Sequence, residues 1–260
     1  MKIKICQVDA FTGKLFGGNP AAVCPLDEWL PDALMQKIAM ENNLSETAFF
    51  TRNGKGYSIR WFTPRTEVAL CGHATLASAH IIFTQLQEKQ EEIVFESKSG
   101  ALKVGRKGNL LVLNFPADHA LPVQYPEDAV RAIGAEPTAC FKGRTDYLFV
   151  YKSEQQVIDI QPDFRMLYSA RVRGIIVTAP GKQVDFVSRF FAPAVGVDED
   201  PVTGSAHTTL IPYWSERLGK KEMKAMQCSA RGGYIECLDA DDRVEIGGEA
   251  VTYLTGEIQV

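Results

Sequence analysis

The feature that most constrains this chain is an internal repeat. Arg60-Trp61-Phe62-Thr63-Pro64 recurs about half a chain later as Arg189-Phe190-Phe191-Ala192-Pro193. Each copy is followed by an acidic loop and then by a glycine that opens an apolar helix: Gly72-His73-Ala74-Thr75 in one case, Gly204-Ser205-Ala206-His207 in the other. Short aromatic-proline strings recur by chance, but here strand, loop and helix recur in the same order, which is the mark of a duplicated unit. The chain then reads as two homologous halves, each with strands wrapped around one helix. The only candidate boundary is the proline-containing polar stretch around residues 114–123. It gives an N-terminal half over residues 1–117 and a C-terminal half over 118–260, with the last strand free to return to the N-terminal half.

Composition narrows the class. At 260 residues with 45% apolar and 23% charged side chains, the chain can bury a substantial core as a globular protein. The net charge is −4, and no Lys/Arg run interleaves with aromatics, which argues against nucleic acid as a partner. No apolar run approaches the ~18–20 residues of a membrane helix. The opening MKIKICQVDAF turns acidic at Asp9 before a signal-peptide core could form, so no export is expected. Cys6, Cys24, Cys71, Cys140, Cys228 and Cys237 are scattered without a C-x-x-C pair. That pattern suits buried free thiols in a reduced, cytoplasmic protein. Cys71 stands apart because it precedes Gly72.

Short β-type runs separated by turn signals fill both halves. KIKICQVDAF alternates as a strand, and a Gly-Asn-Pro turn leads into a second strand at NPAAVCPL. LPDALMQKIAMENN has the three-to-four spacing of an amphipathic helix. ETAFFTRN and YSIRWFTP read as strands meeting at the Asn53–Gly56 turn, followed by a long helix over GHATLASAHIIFTQLQEKQ. Three strands then form a meander with a turn at Gly108-Asn109. The second half adds a short helix in PEDAVRAIGA, strands in TDYLFVYKS, RGIIVTAPG and DFVSRFFAP, the helix GSAHTTLIPYWSERLG and a closing meander.

Helix starts carry unpaired N–H groups and partial positive charge. Glycine there permits close approach to the backbone. Two such starts facing each other across an interdomain cleft would bind a carboxylate or an enolate-like oxygen. A glycine at either start equally serves tight packing of a buried helix. Two in matched contexts, flanked by His73 and Ser205, favour a site.

The stretches QVDAFTGKLFGGNPAAVC, NNLSETAFF, RWFTPRTEVALCGHATLASAH, RFFAPAVGVDEDPVTGSAHTTLIPYW and RGGYIEC together resemble the PhzF-like phenazine-biosynthesis family. The resemblance spans the chain, and SETAFF with DPVTGSAH is its most specific part. It implies an α+β fold of the diaminopimelate epimerase-like type, with two pseudo-symmetric halves, each a β-sheet curled around a central helix. It also implies cofactor-independent proton shuttling on a small carboxylate, and a homodimer. The residue matching the family's catalytic glutamate is Glu46, where burial among Ala48, Phe49 and Phe50 would suit acid–base work. A strand glutamate on the surface, or a cap partner of Ser45, are the plainer readings.

His73, Gly72, Asp200, Ser205 and Gly204 carry over as substrate-binding residues. Ser205 serves equally as the cap of its helix. His207, one turn further, reads as an interior histidine, and Asn19 as a shaper of the GGNP turn near the expected cleft. Cys71 stands where epimerase and racemase relatives place one of two opposed thiols, but the second half offers Thr203 and Asp200 with no thiol. No nucleotide-binding glycine pattern is present. His73 and His80, two helical turns apart, lack a third metal ligand, so no metal or cofactor is expected. Three functions remain: an isomerase using Glu46, an amino-acid epimerase or racemase using Cys71, and a non-catalytic binder of a small acid.

Overall fold

The structure, a computed structural model, describes residues 1–260. It divides into two compact units, Met1–Asn114 with Gly247–Val260, and Phe115–Ile246. The first unit runs β1 (Lys2–Ala10), β2 (Asn19–Leu26), α1 (Asp32–Asn42), β3 (Glu46–Asn53), β4 (Gly56–Phe62), β5 (Glu67–Val68), α2 (Gly72–Thr84), β6 (Glu92–Ser97), β7 (Gly100–Lys107) and β8 (Leu110–Pro116). β1 lies antiparallel to β2, β2 parallel to β3, and β3 antiparallel to β4. β4 then runs parallel to β6, and β6, β7 and β8 form an antiparallel meander.

Each parallel pair needs a crossover connection, and the two helices supply them. α1 packs Met35, Ile38 and Ala39 against Ile3, Ala22, Cys24 and Phe49 and stops at Asn43, whose φ of 50° is left-handed, a conformation asparagine tolerates. α2 is apolar around its whole circumference, the pattern of an enclosed helix. His73 through Ala79, with Ile81, Ile82 and Phe83, are all buried. Each fully buried Leu, Ile or Phe there contributes about 1.5–3 kcal/mol.

The second unit runs β9 (Leu121–Pro122), α3 (Glu127–Ile133), β10 (Ala139–Lys142), β11 (Tyr147–Val150), α4 (Glu154–Asp159), α5 (Phe164–Ser169), β12 (Ile175–Pro180), β13 (Phe186–Ala192), β14 (Val197–Glu199), α6 (Gly204–Leu218), β15 (Glu222–Gln227), β16 (Gly233–Ala240) and β17 (Arg243–Gly248). The chain then returns to the first unit as β18 (Ala250–Gln259), antiparallel to β1. The pairings duplicate those of the first unit: β10 antiparallel to β11, β11 parallel to β12, β12 antiparallel to β13, β13 parallel to β15, and β15 antiparallel to β16. Pro212 inside α6 has no N–H for the Thr208 carbonyl, and that carbonyl accepts from the Asp118 N–H at 3.0 Å instead.

Three sequence expectations are corrected. The helix opened by Gly72 ends at Thr84 and does not run to Gln90, because Gln85 to Gln90 offer too few apolar side chains to bury. The acidic loops after the two repeats each contain a short strand, β5 and β14, pinned by glutamates discussed below. The segment 137–172 also holds β10, α4 and α5, which the patterning did not reveal. No helix is long and apolar enough to cross a membrane.

Candidate active site

In the first unit, three chain segments place Asn19, Glu46 and Cys71-Gly72-His73 together. β2 and β3 run parallel with Ala21 opposite Glu46, so both strands start at the same end of the sheet. The crossover brings the start of α2 to that end. Cys71 is the residue before the helix, extended at φ −146°, and makes no side-chain cap hydrogen bond.

His73 is the centre of the cluster. Its side chain is 6% exposed and that of Glu46 16%, and its Nε2 lies 3.3 Å from Glu46 Oε2. On the other edge of the ring, Nδ1 is 3.2 Å from Asn19 Nδ2 and 3.6 Å from Cys71 Sγ. Burial alone pushes the imidazole pKa down from its ordinary 6.5 to about 3, so the ring is neutral at physiological pH. The approach to Glu46 is close but not a hydrogen bond, and a neutral imidazole there is not a rival acid to a proton carrier.

The donor atoms of Glu46, Cys71 and His73 lie within 4.8 Å of one another, close enough to raise the question of a metal ion. The ring separates them. The thiol approaches Nδ1 and the carboxylate approaches Nε2, whereas an ion bound by one nitrogen would need both partners on the same side. His80, the other histidine of this helix, faces Thr252 Oγ1 at 2.9 Å.

The corresponding place in the second unit is the start of α6. Thr203 takes the position of Cys71, again extended and without a side-chain cap bond. Ser205 therefore does not cap the helix: it lies inside the first turn, exposed, and its carbonyl accepts from Thr208 Oγ1. Asp200 Oδ2 accepts from the Thr203 hydroxyl at 2.5 Å. Gln227, wholly buried at the end of β15, accepts from the Thr203 N–H at 2.9 Å and donates to the Asp200 carbonyl at 2.7 Å and to Thr203 Oγ1 at 3.1 Å. Sequence reasoning missed Gln227, since nothing local to QCSARGG marks it as the clamp of a turn some two dozen residues earlier.

His207 donates from Nδ1 to the Thr203 carbonyl at 2.8 Å. Thr75, at the same position in α2, donates from its hydroxyl to the Cys71 carbonyl at 2.5 Å. His207 is thus an interior support of the helix start, as its sequence context suggested. The structure brings Glu46, His73, Cys71 and Asn19 into one cluster, and gathers Asp200, Gly204 and Ser205 at the other helix start. Gly72 and Gly204 are the first residues of their helices.

The sequence model of the family described as phenazine biosynthesis-like protein matches residues 8–256. An uncharacterized isomerase of Pseudomonas aeruginosa is 53% identical over 261 residues, covering 100% of both chains. The crystal structure of a PhzF-family phenazine biosynthesis protein from Enterococcus faecalis is similar with a TM-score of 0.97 at 45% identity, covering 100% of both chains. A hydroxyproline epimerase from Agrobacterium vitis shares the fold alone, with a TM-score of 0.64 at 9% identity over 99% of this chain and 92% of that one. The architecture is the α+β, diaminopimelate epimerase-like one, consistent with the duplicated strand order described above.

Proposed function

The chain belongs to the phenazine biosynthesis-like family, PhzC-PhzF, and from that premise we propose that it is a cofactor-independent isomerase of a small carboxylate in which Glu46 carries the proton. One observation bears most of the weight: the Glu46 carboxylate stands 3.3 Å from a buried histidine that is held neutral. A proton taken from carbon by Glu46 can be returned elsewhere on the same substrate. Glu46 is the ionised base before the first transfer and the neutral acid between the two, and His73, itself neutral, stands beside it throughout. In this reading Gly72 at the start of α2 supplies a donor for the substrate carboxylate, and Gly204 and Ser205 are candidate donors at the start of α6. Asp200 accepts from an amine or hydroxyl of the substrate. The relatives named isomerases support the reaction class. We further propose a cytoplasmic homodimer, which sedimentation analysis of the purified protein would check.

The test is a thermal-shift screen of small amino and hydroxy acids, followed by proton NMR of the hits in heavy water. Wild type incorporates deuterium into its substrate. Glu46→Gln loses that exchange by at least about 100-fold while keeping its melting temperature. Exchange at the wild-type rate in Glu46→Gln would overturn the assignment. A hit that saturates without turnover would leave only a small-acid binder.

A second reading has its own observation. Cys71 immediately precedes α2 and its sulfur is 3.6 Å from His73 Nδ1, as an epimerase thiol would need. It predicts that Cys71→Ala is inactive and that deuterium enters both stereoisomers. The matching position in the second unit is Thr203, which cannot serve as the opposed thiol.

A further inference from the structure

We propose that Asn19 is a positioning residue that holds His73 in the Nε2-protonated neutral tautomer, so that the ring presents an N–H to Glu46 and to a substrate oxygen bound beside it. The functional meaning rests on Glu46 as the proton carrier; the tautomer itself does not.

Two neighbours demand the same hydrogen position. A side-chain amide nitrogen has hydrogens and no usable lone pair, so Asn19 Nδ2 at 3.2 Å requires Nδ1 to accept. A carboxylate only accepts, so Glu46 Oε2, 3.3 Å away though outside hydrogen-bonding geometry, favours a hydrogen on Nε2 electrostatically. The Cys71 thiol at 3.6 Å also points a weak donor at Nδ1. Burial keeps the ring from holding both protons. The opposite arrangement appears at His207, where a backbone carbonyl accepts from Nδ1 and places the hydrogen there. The two buried histidines therefore carry opposite tautomers, each dictated by what faces Nδ1.

The backbone around Asn19 is built to hold this side chain still. Gly18 has a φ of +61°, and a Cβ there would sit 2.1 Å from the Ala10 carbonyl oxygen, so only glycine fits. Pro20 confines Asn19 itself to extended conformations. Asn19 is fully buried as the first residue of β2. An aspartate in its place would accept from Nδ1, turn the ring over electronically and leave two lone pairs facing each other between Nε2 and Glu46. The amide is the side chain of this size that donates to Nδ1 without bringing a charge of its own.

Two-bond proton–nitrogen correlation spectra of the ligand-free, nitrogen-15-labelled protein at neutral pH read the tautomer directly, with His73 assigned by its loss in His73→Gln. The expected pattern is a pyridine-like Nδ1 and a pyrrole-like Nε2 for His73, with His207 showing the reverse as an internal control. Asn19→Asp exchanges the two His73 signals or gives the doubly protonated ring. Asn19→Leu, which removes the donor without adding an acceptor, mixes the tautomers. Cys71→Ala leaves the wild-type pattern unchanged. A wild-type ring protonated on Nδ1, an unmixed Nε2–H ring in Asn19→Leu, or a switch caused by Cys71→Ala would each overturn the proposal. If Asn19→Asp does not fold, wild type and Asn19→Leu still decide. No substrate enters these spectra, so failure of the exchange assay would sink the isomerase reading and leave the tautomer assignment standing.

Discussion

Arg189 holds Glu199 through two parallel hydrogen bonds, Nε to Oε1 at 2.7 Å and Nη2 to Oε2 at 3.0 Å. Arg60 does the same with Glu67, at 2.8 and 2.9 Å. Each arginine opens one copy of the repeat, and each glutamate lies on the short strand that follows. The bidentate fork is strong and geometrically specific, so the pair ties the acidic segment to its sheet and sets where the next helix begins.

The two pairs should differ in cost when broken. Arg189 is nearly buried and its Nη1 also donates to the carbonyls of Val157, Ile158 and Ile160. Arg189→Leu leaves those carbonyls and a carboxylate without their donor, an expected loss of about 3–5 kcal/mol. Arg60→Leu should cost less, about 1.5–3 kcal/mol, because its second partner Asp32 is exposed. Urea unfolding of both variants checks the order, and equal losses would contradict it.

Acid should weaken the fold through two histidines. His73 and His207 have folded pKa values near 3 and 4, pushed down by burial from 6.5. A base whose pKa is lower in the folded state takes up its proton on unfolding. The stability it contributes is complete above pH 6.5 and drains away as pH falls toward the folded value. Between about pH 6 and pH 4 the two together add a slope of about 2.7 kcal/mol per pH unit. Calorimetry across that range should show this steepness fall by about half in His207→Gln, and an unchanged slope would count against a neutral buried ring.

Gln227 should matter to both stability and the site. Gln227→Leu leaves the Thr203 N–H and the Asp200 carbonyl without their buried partner, each worth about 1–3 kcal/mol. Gln227→Glu keeps the acceptor for Thr203 N–H but places a carboxylate where Asp200 and Thr203 were receiving donors. Both variants should raise KM in the deuterium-exchange assay more than they lower kcat. Unchanged KM in both would mean that the clamp does not steer Asp200.

Thiol labelling of the native protein should be slow and ordered. All six cysteines are free, and only Cys228 is not fully buried. Burial raises the Cys228 pKa to about 11, so little thiolate is present at neutral pH. Cys24 and Cys237 are pushed up further by burial. Mass spectrometry after brief alkylation should find Cys228 modified first, and early modification of Cys24 or Cys237 would argue for a looser core.

Much of the architecture is legible in the sequence alone. Alternation in KIKICQVDA, the apolar run of α2 and the repeated Arg-aromatic-Pro strings each carry a local signal that burial then enforces. The part hidden from the sequence depends on contacts between distant segments. β10, α4 and α5 are short, and their order comes from packing against Phe149, Val177 and Phe191. β5 and β14 exist because an arginine on the previous strand reaches a glutamate, which no propensity scale records. The signals for Glu46 and His73 came from the resemblance, whereas Asn19 and Gln227 acquire their partners only through parallel strand pairing and a long return of the chain.

The return of β18 to β1 bears on how the molecule is made. β1 is synthesised about 240 residues before its partner strand at residues 250–259. Residues 115–246 already hold their own strands and central helix. During synthesis residues 115–246 can close before β18 emerges, while β1 waits with one side unpaired, a window in which a chaperone or a wrong edge could claim it.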